Sequence, residues 1–135
     1  RLNCLSFEHN DAEGWNRAIS HAEDIYGAAE GPVIAARIAG MIRAMRSERN
    51  GGFGYLSPFC PNCRQRVTED EWQLVCLMKA GCEGKAGEIE AAAAEFARRP
   101  SAPMLVAAAQ FFGAQITGTH SMRHAESAPH SATLH

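Results

Sequence analysis

Two cysteines separated by two residues, Cys60-Pro61-Asn62-Cys63, are the place in this 135-residue chain where spacing alone implies chemistry. A tight turn between them folds both sulfurs to one side, so the pair can face a single ion, as in a zinc knuckle. Cys76 and Cys82 follow, completing a C-x2-C-x12-C-x5-C spacing. Structural zinc takes four ligands in a tetrahedron, and thiolates suit it. The expected metal ligands are therefore Cys60, Cys63, Cys76 and Cys82, and the expected ion is Zn2+. The second half of the spacing is irregular. Cys76 falls in an apolar helical stretch, where a free cysteine commonly serves as a small core residue; Cys82 follows Gly81 in a turn and is freer to reach a metal.

Two other completions of the site are chemically sound. His120 and His124 are four positions apart, so both imidazoles would project from one face of a helix; against this, histidines in a polar tail are ordinarily just solvated. Alternatively, two copies of the chain share one ion through Cys60 and Cys63 across a dimer axis. Cys4, His9 and His21 form no compact spacing and read as structural.

The same four residues allow a redox reading. Cys60-Pro61-Asn62-Cys63 resembles the active-site tetrapeptide of glutaredoxins, in which the first cysteine leads a helix whose dipole lowers its pKa. The resemblance covers four residues, and the family's activity is not carried over. The nearest helix cap is Thr68, eight positions after Cys60, and no βαβ pattern surrounds the pair. In this reading Cys60 attacks and Cys63 resolves. Hydrolytic zinc fits less well, because neither an HExxH nor an HxE…PCxxC arrangement is present.

A zinc ion in this position would act mechanically. The stretch 50–67 combines glycines with Pro58 and Pro61, and packing alone holds such a loop still only at high cost. Metal bound with about 10 kcal/mol or more of apparent free energy would fix it against the helix that follows.

Other constellations are weaker. Arg37, Arg43, Arg46 and Arg49 spread over one arc of a helix, Arg64 and Arg66 flank the knuckle, and Phe53, Tyr55 and Phe59 lie between the two groups. Basic residues interleaved with aromatics suit nucleic acid, and a solvated helix face explains the arginines as well. The Gly51-Gly52-Phe53-Gly54 run lacks the Lys-Ser/Thr and the helix start of a phosphate loop. Glu69 and Glu71 are accounted for by a helix dipole, and no Ser-His-Asp order suggests a triad.

The elements that must position these residues read as helices. Apolar residues make up 46% of the chain and charged residues 21%, with a formal charge of -2. These values suit one globular domain and not a strongly basic nucleic-acid protein. Alanine is abundant while Val, Ile and Thr are sparse, favouring helix over strand.

Residues 1 to 10 read as a short lead-in. Asp11 caps a helix carrying Trp15, Ile19, Ala22 and Tyr26. A second helix runs from Pro32 to about Arg49, with Ile34, Ile38, Met41, Ile42 and Met45 on one face. Thr68 and Glu71 form a capping box for a third, which is apolar nearly all round, is expected at the centre and stops at Gly81. A fourth covers Lys85 to Arg99, with Ile89, Ala92, Ala93 and Phe96 inward. Ser101 caps a fifth that carries Met104, Ala108, Phe111, Phe112 and Ile116.

The expected fold is thus all-α, about five helices in one domain over 1–116 with an inserted knuckle at 50–67, followed by a polar C-terminal tail at 117–135. A short helix from Thr119 to Glu126 is one way of ordering that tail. No apolar run is long enough for a membrane span, and no signal peptide is visible; the chain opens on Arg1 rather than Met, which leaves room for an upstream segment. An odd number of cysteines, five, argues against a disulfide framework and for a reducing cytoplasm.

The functional expectation is a small, non-enzymatic, zinc-binding regulatory or protein-interaction module of bacterial type, with homodimerisation through alanine-rich helix faces. The rivals are a nucleic-acid-binding regulator using helix 32–49 with Arg64 and Arg66, and a thiol–disulfide redox protein using Cys60 and Cys63.

Overall fold

A computed structural model describes residues 1–63 and 65–126, with side chains placed up to residue 114. All regular structure among the described residues is helical: α1 (Leu2–His9), α2 (Ala12–Tyr26), α3 (Gly31–Glu48), α4 (Glu69–Glu83), α5 (Ala86–Ala97) and α6 (Pro103–Glu126). α6 packs against both α3 and α4, α5 closes over α4 and α6, and α1 with α2 covers α3. Met41, Ile42, Leu77, Ile89, Phe96 and Leu105 are the large side chains sealed in the resulting core.

The expected five helices become six. The extra one is α1, which the lead-in reading passed over. It is only eight residues long, and its buried positions are Asn3, Cys4 and Ser6, so no apolar stripe announces it. Its polar groups are satisfied locally or across the fold. The Ser6 hydroxyl donates to the Leu2 carbonyl at 2.8 Å, and Asn3 Nδ2 donates to the Ala35 carbonyl at 3.1 Å.

α2 starts as expected, with the Asp11 carboxylate accepting from the N–H groups of Glu13 and Gly14. α4 also starts as expected, with the complete Thr68–Glu71 capping box. It runs past Gly81 to Glu83 and ends on Gly84 at φ 72, a left-handed conformation that glycine adopts without steric cost. Its sealed face is narrower than expected: Leu77, Ala80 and Gly81 are buried, while Trp72 and Val75 are 58% and 50% exposed. The Ala102 carbonyl takes the Val106 N–H at 3.0 Å, and the two N–H groups before it are capped from outside α6 rather than by Ser101. The buried Glu48 carboxylate at the end of α3 accepts from Met104 N at 3.0 Å and Leu105 N at 2.8 Å. A buried anion at a helix N-terminus is stabilised by the dipole and the unpaired donors there. α6 continues through 117–126, so helix extends into the segment read as tail. Residues 127–135 lie outside the described residues.

α4 and α6 approach closely because they cross at Gly81 and Gly113. A Cβ on Gly81 would collide with the Ala109 carbonyl, and one on Gly113 would collide with the Gly81 carbonyl. By contrast, Gly40 lies mid-helix in α3 with open space where its Cβ would be. Gly81→Ala should therefore destabilise the protein by about 1–3 kcal/mol, the usual cost of overpacking. Gly40→Ala should stabilise it by about 0.5–1 kcal/mol through helix propensity. Urea unfolding midpoints of the two variants, moving in opposite directions, check this pair.

Candidate functional site

The cysteine turn hangs from the loop joining α3 to α4, and both ends of that loop are tied by carboxylates on the first turn of α4. At the near end, Gly54 N donates to Asp70 Oδ2 at 2.7 Å, and the Thr68 hydroxyl donates to the Gly54 carbonyl at 2.7 Å. Leu56 N donates to Glu71 Oε1 at 3.4 Å. At the far end, the Arg1 guanidinium pairs with Glu71 at 2.5 Å, donates to the Cys63 carbonyl at 3.2 Å and also donates to the Arg66 carbonyl. Between these ties the chain makes successive tight turns, with Cys60 N donating to the Ser57 carbonyl and Cys63 N to the Cys60 carbonyl.

Asp70 is itself held by a buried cation. The Arg49 side chain is 2% exposed and pairs with Asp70 Oδ1 at 2.5 Å. It also donates to the carbonyls of Gly52 and Phe96 and lies over the rings of Phe53 and Phe96. Arg98 adds a second ion pair to Asp70 at 3.1 Å.

The turn brings Cys60 and Cys63 together: their sulfurs are bonded to each other, with the Cα atoms 5.1 Å apart. Both residues are half-buried. Cys76 is exposed and Cys82 half-buried, and both are free thiols. Because both belong to α4, six residues separate them by about 9 Å along the axis and about 240° around it, so they point apart. Burial, reinforced by Glu83, raises the Cys82 thiol, and burial raises Cys4. Among the described residues no three His, Cys, Asp or Glu side chains converge where they could hold a metal ion. The turn thus supplies two sulfurs, and the continuity of α4 sets Cys76 and Cys82, the other expected ligands, on different sides of one helix. The side chains of His120 and His124 on α6, and Arg64 beside the turn, lie outside the described residues.

The arginine arc of α3 is likewise divided. Arg37 is buried and stacks on Phe111, Arg46 stacks on Phe7, and Arg49 is sealed in the network above. Only Arg43 and Arg46 of the four are exposed. The aromatics between the basic groups differ: Phe53 stacks with Tyr55 and meets Phe96 edge to face, the Tyr55 hydroxyl donates to Glu8, and Phe59 is exposed beneath the Arg17 guanidinium.

Arg1 and Asp70 were missed by reasoning from sequence, and both are central to the loop. Nothing in the spacing of the sequence pairs Asp70 with Arg49. Comparison with known proteins finds no matching family model, no matching curated protein and no matching solved structure.

These carboxylates make the loop sensitive to acid. Burial by itself raises the Asp70 carboxyl, but the Gly54 N–H and the Arg49 and Arg98 guanidiniums outweigh it and hold the group below its ordinary value. For Glu71, burial also raises the carboxyl, and Arg1 with the N–H groups of Thr68 and Leu56 brings it below the ordinary value. A carboxyl depressed in the folded state stabilises folding when ionised. That contribution is fully present above the ordinary carboxylate value of about 4 and disappears as pH falls through the lower folded values. Stability should be flat from neutral pH to about pH 5 and fall below about pH 4. Asp70→Asn leaves the Arg49 cation buried without its partner, so it should cost about 3 kcal/mol or more at neutral pH. It should also shallow the acid limb. Urea titrations across this pH range measure both effects.

Proposed function

We propose that the chain is a small regulatory module whose responsive element is the Cys60–Cys63 pair, alternating between a disulfide and two thiols. The observation that supports this reading is the direct sulfur–sulfur bond on a half-buried turn, approached by no third metal-ligating side chain among the described residues. The exchange partner is a low-molecular-weight disulfide. One cysteine thiolate attacks it, forming a mixed disulfide and releasing one thiol. The second thiolate then attacks the protein sulfur of that mixed disulfide and displaces the other thiol. Two electrons and two protons pass from the protein dithiol to the small disulfide, which leaves as two thiols.

The reading is of a sensor and not of a catalyst of disulfide exchange. α4 begins at Glu69, so neither cysteine of the pair leads a helix whose dipole would activate it. The ring closed by the bond holds only Pro61 and Asn62 between the cysteines, and the change on reduction is local to the turn and its neighbour Phe59. A reducing cytoplasm would keep such a pair as thiols until oxidant rises.

Structural zinc is the second reading. It is favoured by a turn that points both sulfurs the same way, which in the thiolate form is half a tetrahedral site. The other two ligands would come from His120 and His124 or from the same pair on a second copy.

Zinc content and thiol counts separate the two readings. The redox reading expects protein purified under reducing conditions to be metal-free, with five thiols titratable in denaturant, falling to three in an oxidising glutathione buffer. In Cys60→Ser the count should be four and should stay near four. Stoichiometric zinc, or half an equivalent per chain, together with thiols that resist oxidation until a chelator is added, would replace the redox reading with the zinc one.

A further inference from the structure

Beside the cysteine turn, α1, α2, α3 and the Pro58–Phe59 segment enclose a cleft of about 510 Å3. That is the size of a small-molecule site. Ala18 and Ala22 on α2 leave the space, while Ile34 and Ile38 on α3 with Ile25 and Phe59 line it with apolar surface. Ile25 and Phe59 are 59% and 56% exposed, so apolar surface faces solvent at its edge. Phe59 is held over α2 by the Arg17 guanidinium, 5.6 Å from its ring centre.

His21 and Tyr26 also border the cleft and are exposed to solvent, but one buried polar group in its wall is unaccounted for. Asn3 borders the cleft and is only 4% exposed. Its Nδ2 donates to the Ala35 carbonyl at 3.1 Å, and its Oδ1 is buried with no hydrogen-bond partner. Flipping the amide would set its oxygen against the Ala35 carbonyl, so the Ala35 bond fixes which atom is left over. A buried acceptor without a donor costs about 1–3 kcal/mol, and a ligand donor recovers it when binding draws the sealed Oδ1 to the cleft surface. The cleft makes no matching demand for an anion. Arg1, the only arginine among the described residues that line it, already serves Glu71 and two carbonyls.

We propose that this cleft binds a neutral, largely apolar small molecule of bicyclic-aromatic size carrying one O–H or N–H donor, which satisfies Asn3 Oδ1 while the rings lie between Ile34, Ile38 and Phe59. The site stands independently of the thiol chemistry proposed above.

The test is calorimetric titration of the full chain with 2-naphthol and with 2-methoxynaphthalene, which differ by replacing the donor with a methyl ether. The ether is the more apolar probe and binds tighter wherever burial alone decides. The proposal expects 2-naphthol to bind about tenfold tighter, the value of one hydrogen bond to a buried acceptor. Asn3→Leu should reverse the order of the two probes. Phe59→Ala, on an exposed loop position and safe for folding should Asn3→Leu not fold, should weaken both probes alike and leave the preference intact. Absence of binding by either probe, ether binding as tight as 2-naphthol in the unaltered protein, or affinities unmoved by Phe59→Ala would each overturn the proposal.

Discussion

A guanidinium that cannot reach water governs the middle of this molecule. Arg49, at the C-terminal end of α3, is sealed from solvent, and a cation so placed is tolerated only if acceptors surround it. Its acceptors come from four places: Asp70 on α4, the Phe96 carbonyl in α5, the Gly52 carbonyl in the loop and the faces of two phenylalanine rings. Satisfying one charge therefore brings the end of α3, the start of α4 and the end of α5 to a single point. Neighbouring bonds reinforce that junction. Glu48 caps α6 beside it, Arg99 donates to the Glu48 carbonyl at 3.2 Å, and Asn50 N donates to the Ala97 carbonyl at 2.9 Å.

The cysteine turn inherits its placement from this junction. Asp70, once oriented by Arg49, presents its second oxygen to Gly54, and Glu71 on the next residue takes Leu56 and Arg1. The long loop is thereby divided into tied stretches, and the part left to turn freely is short. A loop rich in glycine and proline invited the expectation that a metal must stiffen it. Hydrogen bonds to two carboxylates already anchor both sides of the turn, so a bound ion would add to a frame that exists without it.

Legibility from the amino-acid order followed the range of the interactions. α2 and α4 were readable because their starts are written locally, in Asp11 and in the Thr68–Glu71 box. The core face of α3 was readable from the spacing of Met41, Ile42 and Met45. α1 was not, because a short helix that buries Asn3 and Ser6 carries no periodic apolar signal. The reach of the cysteine pair was local and correctly read as a shared-side turn. Cys76 and Cys82 are close in spacing, and the helix they share sets them on different sides of it, which spacing alone does not reveal. The arginines misled for a related reason: periodicity assigns Arg37 and Arg49 to a helix surface, and only tertiary packing reveals that the surface is covered. The Arg49–Asp70 pair spans 21 positions and Arg1–Glu71 spans 70, distances over which single-sequence patterns carry no pairing information.

The most direct check on the buried-arginine account is amide hydrogen exchange at Gly54 and Leu56 in protein that is both fully reduced and stripped of metal by a chelator. If the carboxylates of Asp70 and Glu71 hold the loop, both amides stay protected under those conditions, and protection at Gly54 is lost in Asp70→Asn. Exchange at the rate of an unstructured chain as soon as the cysteines are reduced and metal is withdrawn would show that the sulfurs or an ion hold the loop, contradicting the central role of Arg49 and its carboxylate partner.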